Sequence, residues 1–176
     1  FLVLFQIGIS FVYIPWNAER LQITEAEIGL GLFAFGLLNL IGNQVSGRLI
    51  VPKIGTKNSI VIGLLGIAYC PLLLILAPSY HWFLIAFTPF GFFVGLFSPS
   101  SQSQISMIES KTSRVLTPLY HAAFSFGSLV GAFSAFFTIR YIESPVLIFS
   151  ITGTMLILGA FLINKFGLDK SIYPNI

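Results

Sequence analysis

Polar side chains recur at helical spacing inside otherwise apolar stretches, and hydrogen bonding is the chemistry they offer. Gln6, Ser10, Tyr13 and Asn17 follow one another at offsets of four, three and four, which places them on one face of a helix. Asn39 and Asn43 align with Gly36 and Gly47, and Ser98 and Gln102 align with Gly91 and Gly95. His121, Ser125 and Ser128 share a third kind of face, with one imidazole and two hydroxyls. Amides and imidazoles are expensive in hydrocarbon, so such faces turn toward a wet cavity or toward each other. Asn39 and Asn43 fit either helix-to-helix bonding or cavity lining. Gln102 and Gln104 can also reach an interface, and His121 reads first as a hydrogen-bonding residue and second as a proton carrier.

Covalent and metal chemistry have little to work with. There are two histidines, His81 and His121, expected at opposite faces of a membrane, and one cysteine, Cys70, inside an apolar run. No Ser/His/Asp set or metal-ligand set assembles from them. No catalytic residue, metal site or cofactor is therefore expected, and the chain reads as a non-enzyme. An intramembrane lipid-modifying enzyme is the weakest of the alternatives.

The elements that carry these faces are set by where charge is absent. Residues 1–18, 28–47, 58–108, 115–139 and 144–164 contain no Asp, Glu, Lys or Arg. A charge at the bilayer centre costs about 2.5–3.5 kcal/mol, and about 20 apolar residues in helix cross the hydrocarbon core. Hydrophobic residues make up 56% and charged residues 9%, at a mean hydropathy of +0.92. Lipid is the solvent implied. Strands of a barrel would alternate apolar and polar residues, and these runs do not.

Caps and prolines divide the runs into an all-α integral membrane bundle of six helices over 1–165: about 1–15, 26–49, 59–77, 80–104, 118–140 and 145–165. Thr24 and Glu27 have capping-box spacing, and Thr117-Pro118 and Ser144-Pro145 each place proline in a first turn. Helix 1 is expected to stop near Pro15-Trp16-Asn17, and Val51–Asn58 is expected to be a short basic loop. The chain opens on Phe1-Leu2-Val3-Leu4, so helix 1 reads as clipped at its start rather than as a signal peptide. Residues 166–176 read as the start of a cytoplasmic linker or tail.

With the first helix running inside to outside, Arg48, Lys53, Lys57, Lys111, Arg114, Lys165 and Lys170 fall on the cytoplasmic side, against Arg20 and Arg140 outside. Both termini are then cytoplasmic. The net charge of +3 belongs to this asymmetry and to lipid headgroups, not to nucleic acid. Helices 1, 2, 4 and 5 carry the polar faces and should line an interior, with helices 3 and 6 outside it. The pairs Gly91/Gly95 and Gly127/Gly131 allow close helix approach.

The stretch Gly47-Arg48-Leu49-Ile50-Val51-Pro52-Lys53-Ile54-Gly55-Thr56-Lys57 resembles the Gly-x-Leu-x-Asp-Arg-x-Gly-Arg-Lys loop of the major facilitator superfamily. One residue is inserted, and Pro52 stands where the family places Asp. Gly95-x-x-Ser98, Gln102-x-Gln104, Glu109, Arg114 and His121-Ala-Ala-Phe124-Ser125-Phe126-Gly127 are similar to bacterial members related to fucose permeases and other sugar transporters. Ser98 replaces the helix 4 acid that takes up the proton in proton-coupled relatives.

What the resemblance implies is half of a twelve-helix fold, built as two inverted three-helix repeats. The implied function is transport of a small polar solute, a sugar or sugar derivative, by alternating access in a plasma membrane, the inner membrane of a bacterium. The partner is a missing C-terminal half or a second copy of the chain. Gln6, Ser10, Tyr13, Asn39, Asn43, Ser98, Gln102, His121 and Ser125 are the candidate cavity residues, and Tyr13 or Trp16 could stack on a sugar ring. Gly47, Arg48, Lys53, Gly55, Lys57, Glu109 and Arg114 are the candidate inner gate. A non-transporting membrane subunit or a remnant half-transporter is the alternative.

Overall fold

The computed structural model describes residues 1–142 and 144–167, which are helical nearly throughout and hold no strand among the described residues. The expected tail lies almost wholly outside them. Helix α1 (Leu2–Val12) bends at Tyr13 and continues as α2 (Ile14–Leu21). The expected stop at Pro15 is not where the helix ends. Proline falls in the first turn of α2, where a missing N–H is tolerated, and Asn17 N still donates to Tyr13 O at 3.0 Å. The helix ends only at Gln22, which turns left-handed at φ 53°.

Helix α3 (Glu25–Val45) starts at the expected capping box. Glu27 N donates to Thr24 Oγ1 at 3.3 Å, and Thr24 N donates to the Glu27 carboxylate at 2.9 Å. A wider π-type turn over Ser46–Ile50 carries the chain into α4 (Val51–Ala68). The expected loop at 51–58 is thus largely helical and shrinks to a break at Gly55, with φ 85° and ψ 164°. Such a φ is open to glycine and strained for other residues. Ser46 and Ser59 touch across this break, so the chain doubles back there.

A second break at Tyr69, ahead of Pro71, separates α4 from α5 (Cys70–Leu76). Helix α6 (Tyr80–Thr112) runs past the expected end at 104 and contains Pro89 and Pro99. At 1.5 Å per residue it is about 50 Å long, beyond the ~30 Å hydrocarbon thickness, so its polar last turns extend outside the apolar layer. Helices α7 (Thr117–Tyr141) and α8 (Val146–Phe166) complete the bundle. Among the described residues four stretches are long and apolar enough to cross a membrane: Glu25–Leu76, itself folded at Gly55, then Tyr80–Thr112, Thr117–Tyr141 and Val146–Phe166.

The principal pairings are α3 with α6, α1 with α7, and α4 with both α6 and α8. Glycine makes two of them possible. A Cβ on Gly91 or Gly95 of α6 would overlap the backbone carbonyls of Phe35 or Asn39 of α3, and Gly42 of α3 sits equally close to Phe92 O. On the other side Gly127 and Gly131 of α7 abut Phe1 O and Phe5 O of α1, and Gly8 abuts Ser128 O. Close backbone approach of this kind drives association where lipid removes the hydrophobic force between helices. Between the pairs lies an apolar core that includes Ile67, Phe83, Phe87 and Phe90. Outward faces of α7 and α8 display Phe126, Phe133, Phe137, Leu158 and Phe161, the surface lipid would cover.

Candidate solute-facing groove and charged helix ends

Beside the α1–α7 crossing lies an open groove of about 520 Å³, lined by Leu4 of α1 and by His121, Phe124, Ser125, Ser128, Leu129 and Ala132 of α7. The helix period explains its composition. Gly127, Gly131 and Ala135 turn toward α1 and are buried, which leaves the His121–Ser125–Ser128 face at the groove. His121 and Ser125 are exposed and Ser128 is half-buried.

Aromatic rings flank the imidazole edge-on: Tyr120 at 5.3 Å and Phe124 at 6.4 Å between centroids. Tyr120 is itself tied to α6 by a hydrogen bond with Ser101. Within the same helix, Ser134 donates to Val130 O at 2.7 Å and Thr138 to Ala135 O at 3.1 Å.

The other polar faces are divided between bonds across helices and bonds within one helix. Gln6 is fully buried, and its amide nitrogen donates to Ala68 O at 2.9 Å. That carbonyl closes α4 where the helix breaks ahead of Pro71, so a side chain from α1 supplies a donor. Gln6 Oε1 finds no partner among the described residues. Ser10 bonds back to Gln6 O at 2.6 Å, and Tyr13 OH reaches Thr138 Oγ1 of α7 at 3.0 Å. Asn43 donates to Asn39 O and Oδ1 at 3.0 and 3.1 Å, both residues being half-buried. Ser98 bonds to Val94 O at 3.0 Å, and Gln102 is exposed.

At the end of the bundle that holds the Gly55 turn, three buried hydroxyls meet. Ser100 Oγ lies 2.8 Å from Ser59 Oγ and 2.9 Å from Ser46 Oγ, and Ser46 donates to Leu96 O at 3.0 Å. Gln104 Nε2 donates to Thr56 Oγ1 at 3.2 Å nearby. Thr56 and Ser59 share a face of α4 and Ser100 and Gln104 a face of α6, but nothing in their spacing says that the two faces and Ser46 meet. A mostly apolar cavity of about 430 Å³ opens beside them between α1, α4, α6 and α8.

Gly47, Arg48, Lys53 and Arg114 are exposed at the same end, and Lys57 Nζ donates to Asn164 O at 3.4 Å. Glu109, on the extension of α6 past the apolar layer, accepts from Leu116 N, from Thr117 N at 2.6 Å and from Thr117 Oγ1 at 2.9 Å. Those backbone donors hold its carboxyl below the ordinary carboxylate range. The acid thus caps the first turn of α7. No group of three or more His, Cys, Asp or Glu that could hold a metal occurs among the described residues.

Residues 1–171 match the family model described as Major Facilitator Superfamily. The chain belongs to the major facilitator superfamily. An uncharacterized MFS-type transporter of Yersinia pestis is 29% identical over 122 residues, covering 68% of this chain and 31% of that protein. The aligned stretch therefore spans about a third of the length of that relative. No solved structure matches. As a superfamily member the chain is a multi-pass membrane protein of a transport family, and its apolar outward faces have lipid as their natural contact.

The stretch 47–57 that resembles the superfamily loop is helical on both sides of Gly55, where it breaks. Pro52 falls in the first turn of α4, where it costs little, and Gly55 alone makes the turn.

Proposed function

We propose that this chain forms a six-helix half of a transporter that moves a small polar solute, a sugar or sugar derivative, by alternating access against a second six-helix half. The observation that carries the reading is the open polar groove on α7 of a chain matched to the superfamily along 1–171. In this reading the crossings are α1 with α2, α3 through the first turn of α4, the rest of α4 with α5, then α6, α7 and α8. The matching glycine contacts of α3 with α6 and α1 with α7 support two related three-helix repeats of inverted orientation.

His121 and Ser125 line the solute path, with Asn39, Asn43, Ser98 and Gln102 as further candidates. Gln6 and Tyr13 hold helices together beside it, and Ser10 bonds within its own helix. The end bearing Arg48, Lys53, Lys57 and Arg114 is cytoplasmic, as are both termini, and these charges act at the inner gate. Glu109 serves that gate by fixing the start of α7 to α6.

The test is uptake of labelled monosaccharides by liposomes holding the complete natural chain. Saturable uptake that falls in Arg114→Ala without loss of membrane insertion supports the reading. Absence of uptake across neutral, acidic and amino sugars overturns it. That outcome would favour the alternative of a non-transporting subunit or remnant half, to which Pro52 and the internally bonded Ser98 lend weight.

A further inference from the structure

Resting on the transport reading above, we propose that His121, Ser125 and Ser128 form a subsite for the carboxylate of an acidic solute. Three donors stand on one face of α7 at positions i, i+4 and i+7, where neighbours four apart have Cβ atoms about 5–6 Å from each other. A carboxylate has two oxygens and about four lone-pair sites, enough to accept from the imidazole and a hydroxyl at once.

The hydroxyls are available. Ser134 and Thr138 of the same helix bond back to carbonyls one turn earlier, and Thr117 bonds Glu109. Ser125 and Ser128 make no hydrogen bond among the described residues and face the groove instead. The imidazole is held in place rather than loose. Tyr120 and Phe124 flank it, and Tyr120 is anchored to Ser101 of α6.

Charge selects the ligand. His121 is the one titratable side chain among the lining residues, and no carboxylate is among them. Glu109 at the end of α6 is engaged by the backbone N–H groups of Leu116 and Thr117, and α1 carries no charged side chain. A cationic solute would find no carboxylate among the described lining residues. A hydrogen bond to an ionised carboxylate is roughly twice as strong as one between neutral groups, so an acid outcompetes the neutral sugar of equal size. The volume of about 520 Å³ suits a monosaccharide acid.

The experiment uses the complete natural chain, purified and reconstituted, with gluconate, glucose, glucosamine and inorganic phosphate as probes. Binding of gluconate at least about tenfold tighter than glucose, lost about tenfold in His121→Gln and in Ser125→Ala/Ser128→Ala, is the expected result. Ser103→Ala, an exposed site elsewhere, should leave it unchanged. Equal affinity for gluconate and glucose, equal effects of His121→Gln on both, or binding of none of the probes overturns the acid subsite. Displacement of gluconate by phosphate at matching affinity overturns the carboxylate assignment in favour of a general anion site. Uptake measured in parallel separates the two readings: transport of neutral sugar without acid preference leaves the transporter standing and removes the subsite.

Discussion

Replacing Ser100 by Ala tests whether the buried hydroxyl cluster holds the Gly55 end of the bundle together. Ser100 is fully buried, and its hydroxyl touches Ser59 at 2.8 Å, Ser46 at 2.9 Å and its own helix carbonyl Leu96 O at 3.1 Å. Alanine removes the two links between helices. What remains is Ser46 donating to Leu96 O at 3.0 Å and a longer Ser46–Ser59 contact at 3.3 Å. A hydrogen bond between membrane helices is worth about 0.6 kcal/mol on average and about 1.7 at most. Two lost links therefore amount to about 1 kcal/mol, with a ceiling of about 3 kcal/mol. The assay is the folded fraction of the complete chain in lipid–detergent mixtures against rising SDS, with exposed Ser103→Ala as control. Ser46→Ala should cost about as much, because it spares the 2.8 Å bond but removes the 2.9 Å link, the bond to Leu96 O and the 3.3 Å contact with Ser59, and the double variant should fall short of additivity since both lose the 2.9 Å link. A Ser100→Ala loss no larger than that of the control would refute the reasoning.

Gly95→Leu should disrupt folding in the membrane far more than Gly36→Leu, since a Cβ at Gly95 overlaps Asn39 O while Gly36 has open space; protease resistance of the inserted chain reads this out. Gln6→Leu should be nearly neutral despite full burial. It loses the bond to Ala68 O but also removes the unpartnered Oε1, and each effect is worth about 1–3 kcal/mol of opposite sign. A loss above about 3 kcal/mol in the same SDS titration would contradict that balance. The Glu109 cap contributes stability at neutral pH and loses it as pH falls through its lowered carboxyl value, because the unfolded chain takes up that proton first. Melting curves at pH 7 and at pH 4 or below should therefore differ more for the natural chain than for Glu109→Gln, and equal differences would remove the cap from the account.

Which segments are apolar enough for lipid, and how several of them begin, was legible in the order of residues. Charge-free runs dictate burial in an apolar solvent whatever the helices pack against, and the Thr24–Glu27 box works within four residues. Close approach at Gly91, Gly95, Gly127 and Gly131 was also legible, because spacing of four puts a missing Cβ on one face. Helix ends were less so: Pro15 and Pro52 look like stops yet fall in first turns, and the polar turns through Thr112 stay helical beyond the apolar layer. What each polar face meets depends on packing between helices. Gln6–Ser10–Tyr13 and His121–Ser125–Ser128 have the same spacing, yet the first is sealed against α4 and α7 and the second opens to a groove. Periodicity defines a face of one helix, whereas burial depends on the neighbour brought there by packing. For the same reason the Ser46–Ser59–Ser100 cluster was invisible in one dimension: its members lie on three segments and meet only after the chain turns at Gly55.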